Sequence, residues 1–234
     1  MTDKEKGVAV RAILDRDLAI LKEDTLRMGS LLESAIVHSM QALRNRDEIL
    51  AQEIVANDAQ VNALRFKVEE ASLNLIASQQ PAAGDLRAIV AALNMVTDLE
   101  RMGDHAAGIA KIVLRLPDDG ALELPPSLNQ MADLALRMLR KALEAYTKVD
   151  ENIAYSVATQ DDVIDLHYKA LFRELVEMMS EGKDMTNVGI YLMFVGHKLE
   201  RIADRVTNLA ERVIFMTSGL MQELNPEPDE ADIN

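Results

Sequence analysis

Apolar residues return at three- and four-residue steps almost from one end of this chain to the other, and the pattern restarts once. A stripe with the 3.6-residue period can be buried only against other packed elements, so the chain reads as a set of antiparallel helices. Leu18, Leu21, Leu26, Met28, Leu32, Ile36, Met40 and Leu43 outline a first long helix. Asp47 is placed to cap a second, which runs through Ile54, Val61, Leu64, Val68 and Leu75 to about Ser78. Gln80-Pro81-Ala82-Ala83-Gly84-Asp85 is a turn signal. A third helix then carries Ile89, Ala92, Val96, Leu99, Met102, Ala106, Ile109 and Val113.

The interior segment rich in Pro and Gly runs from Leu116 to Ser127, and the domain boundary belongs there. Beyond it Ser127 can cap a helix reaching about Tyr146, Asp150 opens another ending near Glu181-Gly182, and a last helix spans about Thr186 to Thr217. The expected fold is all-α, with two tandem antiparallel three-helix bundles: residues 1–116, a linker at 117–126, and residues 127–220. Residues 221–234 form an acidic, Pro-containing tail expected to be disordered. Composition agrees, since a chain 49% hydrophobic but only 3% aromatic, without Trp, builds its core from Leu, Ile, Val, Ala and Met.

The restart is an internal repeat. Asp47 corresponds to Asp150, Asn57-Asp58 to Gln160-Asp161, and Val61 to Ile164. In the last helix of each half, Asp98-Leu-Glu-Arg-Met-Gly-Asp104 matches Lys198-Leu-Glu-Arg-Ile-Ala-Asp204. Residues four apart on a helix lie nearly above one another, so Glu200, Asp204 and Asn208 form one column of oxygen-bearing groups. In the first half the column is Thr97, Glu100, Asp104 and Gly108. Leu199, Ile202, Val206, Leu209 and Val213 lie on the other side, so each acidic column is expected to face away from its own core.

A solvated polar face would have the same geometry. Three features favour a ligand. Like charges four apart cost roughly 0.2–0.5 kcal/mol in an isolated helix, yet the pair occurs in both halves. Arg101 and Arg201 follow in the same register, and Asn208 adds a neutral oxygen. A multivalent cation would relieve the repulsion. Hard oxygen donors suit iron, manganese or magnesium, with zinc less natural unless His105 or His197 joins. One helix is a poor cage, so Asp58, Asp161 and Asp165 are candidates to complete the sites, although capping their own helices is the simpler role. His38 and His167 read as surface or boundary residues. Gly103, Gly108, Gly189 and Gly196 allow close helix approach or access by a bulky group.

A net charge of −14 argues against nucleic acid or an anionic membrane surface as partner and fits cations or basic protein patches. The absence of Cys excludes disulfides and thiolate metal sites and is compatible with the cytoplasm. A soluble chain is expected, because no apolar run approaches the ~18 residues of a membrane span and the first residues lack a signal-peptide stretch. Walker A, dinucleotide-binding and Gly-x-Ser-x-Gly motifs are missing, as is the Glu-x-x-His of di-iron bundles, so no catalytic constellation is visible.

Gln80-Pro-Ala-Ala-Gly-Asp-Leu-Arg87, Asp98-Leu-Glu-Arg-Met-Gly-Asp-His105 and Leu199-Glu-Arg-Ile-Ala-Asp204 with Asn208-Leu-Ala-Glu211 resemble the PhoU family over about Asp17 to Ser218. The resemblance implies a cytoplasmic, often dimeric, non-enzymatic protein that restrains phosphate uptake and phosphate-starvation gene expression. It also implies links to a phosphate ABC transporter and a sensor histidine kinase, and metal ions or clusters at Glu100, Asp104, Glu200 and Asp204, with Asn208 in the extended motif. Gly108 stands at the equivalent place in the first half, so that site is one potential ligand short. Two rival functions remain: a metal store or metal-dependent enzyme, and a helical scaffold with solvated acidic stripes.

Overall fold

The computed structural model describes residues 3–116, 122–180 and 182–224. The first bundle comprises α1 (Asp3–Asn45), α2 (Glu48–Gln79) and α3 (Ala83–Val113). The second comprises α4 (Pro126–Lys148), the short α5 (Glu151–Ala158), α6 (Asp161–Ser180) and α7 (Lys183–Ser218). α5 and α6 take the part of one interrupted helix, so the plan is six helices in two three-helix bundles.

The chain turns where capping chemistry allows. Asp47 Oδ1 accepts from the Leu50 N–H at 2.9 Å, and Asp150 Oδ1 accepts from Asn152 and Ile153 at 2.9 and 3.2 Å. Each satisfies donors that a helix start leaves free. Ser127 does not cap α4. That helix begins one residue earlier at Pro126, whose ring presets φ and has no N–H to satisfy. The Ser127 hydroxyl instead donates to Glu174 Oε1 of α6 at 2.6 Å, with its N–H 3.2 Å from Oε2.

Two features depart from the sequence reading. α1 extends fifteen residues or so before Leu18, and Arg11 anchors the extension to the start of α3 by a forked ion pair with Asp85 at 2.6 and 3.2 Å. The expected helix opened by Asp150 breaks at Thr159-Gln160. There the side chains of Thr159 and Gln160 both donate to the Ser156 carbonyl, at 3.2 and 3.1 Å, and so compete with the helical ladder. The break places Asp161 and Asp162 in the first turn of α6, where the helix dipole favours negative charge.

α3 and α7 occupy the middle of the molecule. α3 packs on α1, α2 and α7, while α7 packs on α4, α5, α6 and α3, and α1 meets α4. One continuous apolar cluster therefore serves both halves, with Met28, Leu32, Leu99, Met102, Leu128 and Met138 fully buried in it. Leu122 and Leu124 pin the connector to this cluster, and the Leu122 N–H donates to the Arg44 carbonyl at 2.9 Å; residues 117–121 of the expected linker lie outside the described residues. After α7, Gln222 Nε2 donates to the Tyr155 hydroxyl at 2.7 Å and the Leu224 N–H to Glu211 Oε1 at 3.0 Å. The rest of the acidic tail, 225–234, lies outside the described residues. Among the described residues no helix is long and apolar enough to cross a membrane.

Candidate metal centre

Both acidic columns sit on the central helices, turned from the apolar core as their spacing requires. Asp104 is exposed, but α2 covers Glu100 and α6 covers Glu200, whose side chains are only 17% and 22% exposed. The reason lies in the bundle: every helix of a three-helix bundle is flanked on two sides, and both flanks lie next to its core-facing stripe.

In the first half Asp58 of α2 approaches Asp104 of α3. A Cβ at position 103 would lie 3.3 Å from Asp58 Oδ1, so Gly103 leaves the space that the carboxylate fills. Burial, and then the charge of Asp104, raises the Asp58 carboxyl above its usual range, against Lys111 and the hydrogen bond from Asn62. Asn62 Nδ2 donates to Asp58 Oδ2 at 3.3 Å. Arg65 of α2 donates from Nη1 to Glu100 Oε1 at 3.1 Å and from Nε to Glu69 Oε1 at 2.8 Å.

In the second half four carboxylates gather along the α6–α7 groove. Burial, then Glu200 and Asp161, lifts the Asp204 carboxyl to about 6; Arg201 opposes and Asp165 adds to the rise. Glu200 is raised by burial, with Asp165 and Asp161 adding to it against Arg201. Arg201 Nη1 lies 3.2 Å from Asp204 Oδ2 along α7. Glu200 Oε2 is buried and accepts no hydrogen bond among the described residues; His197 Nδ1 stands 3.4 Å away without bonding geometry. Tyr168 of α6 lies alongside, its phenol raised by burial and by the charge of Glu200. Its ring approaches Gly196, where a Cβ would be 3.4 Å from it.

The remaining candidates fall elsewhere. Asn208 turns toward α3, where its Nδ2 donates to Asp98 Oδ1 at 3.3 Å. At ~100° per residue the column drifts by about 80° between positions 200 and 208, enough to pass from the α6 flank to the α3 flank. His105 also lies at this seam. Burial, then Lys198, Arg205 and Arg201, depresses its imidazole to about 4, against Asp104. His197 is exposed, with a side-chain accessibility of 57%. Among the described residues no three acidic or imidazole groups already surround one point as a metal cage. Asn62, Arg65 and Tyr168 were not singled out by motif, yet the register pairing Asp58 with Asp161 also pairs Asn62 with Asp165 and Arg65 with Tyr168.

What this arrangement can do chemically is collect cations, and known proteins share its architecture. The PhoU domain matches residues 25–113 and again residues 128–213. The phosphate-specific transport system accessory protein PhoU homolog of Clostridium acetobutylicum is 38% identical over 216 residues, covering 92% of this chain and 99% of that protein. The homolog of Caulobacter vibrioides is 38% identical over 218 residues, covering 93% and 94%. Among solved structures, the phosphate transport system regulatory protein PhoU from Streptococcus pneumoniae aligns with TM-score 0.82 at 32% identity, covering 89% of this chain and 99% of that one. PhoU from Pseudomonas aeruginosa aligns with TM-score 0.81 at 32% identity, covering 88% and 99%. With both halves matched in sequence and the whole fold superimposable, this chain belongs to the PhoU family, whose members are regulatory accessories of phosphate transport rather than enzymes.

Proposed function

We propose that this chain restrains phosphate uptake and phosphate-starvation signalling as a metal-binding adaptor. Its partners are the ATPase of a phosphate ABC transporter and a sensor histidine kinase, and it acts in the cytoplasm as a homodimer. The observation that supports the metal is the α6–α7 groove. Asp161, Asp165, Glu200 and Asp204 line one groove closely enough to raise the carboxyls of Glu200 and Asp204, and Glu200 Oε2 is buried without a hydrogen-bond donor. A buried, unsatisfied acceptor among like charges is costly, and a cation satisfies it. The donor set is hard oxygen, which suits iron, manganese or magnesium, and zinc if His197 contributes. Glu200 and Asp204 would hold the ion, with Asp161 and Asp165 supplying further charge from α6; bound metal would neutralise the groove. The adaptor role needs surface for other proteins. Phe66 and Leu73 on α2, Leu166 and Phe172 on α6, and Phe194 on α7 provide it, each more than half exposed.

The test is a deletion strain complemented in rich phosphate. Wild-type protein should restore low phosphatase expression, carry metal by elemental analysis, and retain the kinase and the transporter ATPase in a pull-down. Glu200→Ala with Asp204→Ala should lose most of the metal while keeping its helical circular dichroism and its melting transition. Phosphatase expression unaffected by the deletion would overturn the regulatory reading, and equal metal in wild type and variant would overturn the metal assignment.

A further inference from the structure

We infer that the two acidic sites are not equivalent: Arg65 serves as a built-in counter-cation in the first half, leaving the groove between α6 and α7 as the tight metal site. The inference rests on the metal reading above and concerns how the chain divides the metal between its halves.

The comparison is controlled by the repeat itself. Glu100 and Asp104 correspond to Glu200 and Asp204, Arg101 to Arg201, and Asp58 to Asp161. Those positions carry the same charges, so they cancel. Three positions along α2 and α6 differ. Asn62 stands where the second half has Asp165, Arg65 where it has Tyr168, and Glu69 where it has Phe172. The first two exchanges make the second groove more negative and the third offsets one of them, which leaves the second groove more negative by one charge.

The side chains use these differences. Arg65 reaches across from α2 to bond Glu100 Oε1 at 3.1 Å, and Glu69, one turn further along α2, holds the guanidinium at 2.8 Å. Position 69 is answered by Phe172 in the second half, so the buttress is also confined to the first. Asn62 donates its amide to Asp58 Oδ2 at 3.3 Å, where a carboxylate could only repel. Glu100 and Asp58 thus each have an internal donor. In the second half the corresponding Tyr168 lays its ring toward Gly196, and Glu200 Oε2 stays buried without a donor. A guanidinium bonded to a carboxylate competes directly with a metal for the same oxygens. Metal entering the first site must displace a guanidinium held across the groove by both Glu100 and Glu69, whereas metal entering the second displaces Arg201 from Asp204, a pair within α7 whose arginine is 45% exposed.

Manganese titration of metal-stripped, full-length protein by calorimetry tests this. Wild type should show one tight class of sites. Glu200→Gln with Asp204→Asn should abolish that class, and Glu100→Gln with Asp104→Asn should leave it. Arg65→Gln should strengthen binding in the first half at least tenfold, seen as a second class that persists when Glu200 and Asp204 are also changed. Arg65→Lys, which keeps the charge, should behave as wild type, and melting curves report that each variant is folded. Two equivalent classes in wild type, loss of the tight class with Glu100 and Asp104, or no gain in Arg65→Gln would each overturn the inference while leaving the metal reading standing. Absence of manganese binding in every protein would overturn both.

Discussion

Glu200 and Asp204 illustrate how a residue's neighbours, rather than its own helix, decide its chemistry. Each is one of two like-charged residues four apart, a pairing that costs only tenths of a kcal/mol on an exposed helix. Against α6 the cost grows, because burial and three further carboxylates hold the Asp204 carboxyl up to about 6. The sign of the consequence follows from linkage. Between its ordinary value of 3.8 and about 6 the folded protein keeps a proton that the unfolded chain has released. The contribution of Asp204 to the stability of the metal-free protein should therefore fall as pH rises through this window, while His105, held down to about 4, contributes in the opposite direction. Relative to wild type, Asp204→Asn should gain urea midpoint between pH 5 and pH 7, because it lacks the contribution that falls. An equal slope in that variant would assign the effect to other groups.

At the scale of the helix, most boundaries follow from local chemistry. Asp47 and Asp150 cap the helices they precede, and Gln80, at φ 46°, ends α2 just before Pro81. Val149 is the costly one. It closes α4 in the left-handed region at φ 53° and ψ 49°, a conformation that a β-branched side chain tolerates poorly. Its side chain is 42% exposed, so it contributes little burial in return. Val149→Gly should raise stability by about 1 kcal/mol, the usual scale of this strain, read as a higher urea midpoint with an unchanged slope. The α5–α6 break was not legible in the apolar pattern, because Ala154, Val157 and Ile164 stay in phase with the core on both sides of it. What interrupts the helix is the competition of Thr159 and Gln160 for one carbonyl, which leaves no mark on hydrophobic periodicity.

Across the whole molecule, the two halves are joined along α3 and α7 by contacts that exchange positions. Asp98 meets Asn208, and Lys198 meets Gly108, where a Cβ would lie 2.6 Å from the lysine Nζ. Asp98 also accepts from Arg205 Nη1 at 3.0 Å, a pair whose side chains are 11% and 15% exposed. Removing one member of such a pair leaves the other charge uncompensated. Asp98→Ala should cost about 3 kcal/mol in chemical denaturation, and Asp98→Ala with Arg205→Met should recover part of the loss. A single variant as stable as wild type would show that the seam is held by apolar packing alone.

Helical class, duplication and the paired acidic motif were readable in the residues, since each depends on spacing along one helix and on the identities that recur with it. Solvation of those motifs was not. Whether Glu100 meets an arginine from the facing helix and Glu200 a tyrosine depends on which face of α2 or α6 lies across the groove, and Asn208 reaches α3 only because two bundles share one core. Periodicity states how a side chain points from its own axis. The dielectric and the partners it finds there come from a second helix distant in the chain, and packing alone brings that helix into place.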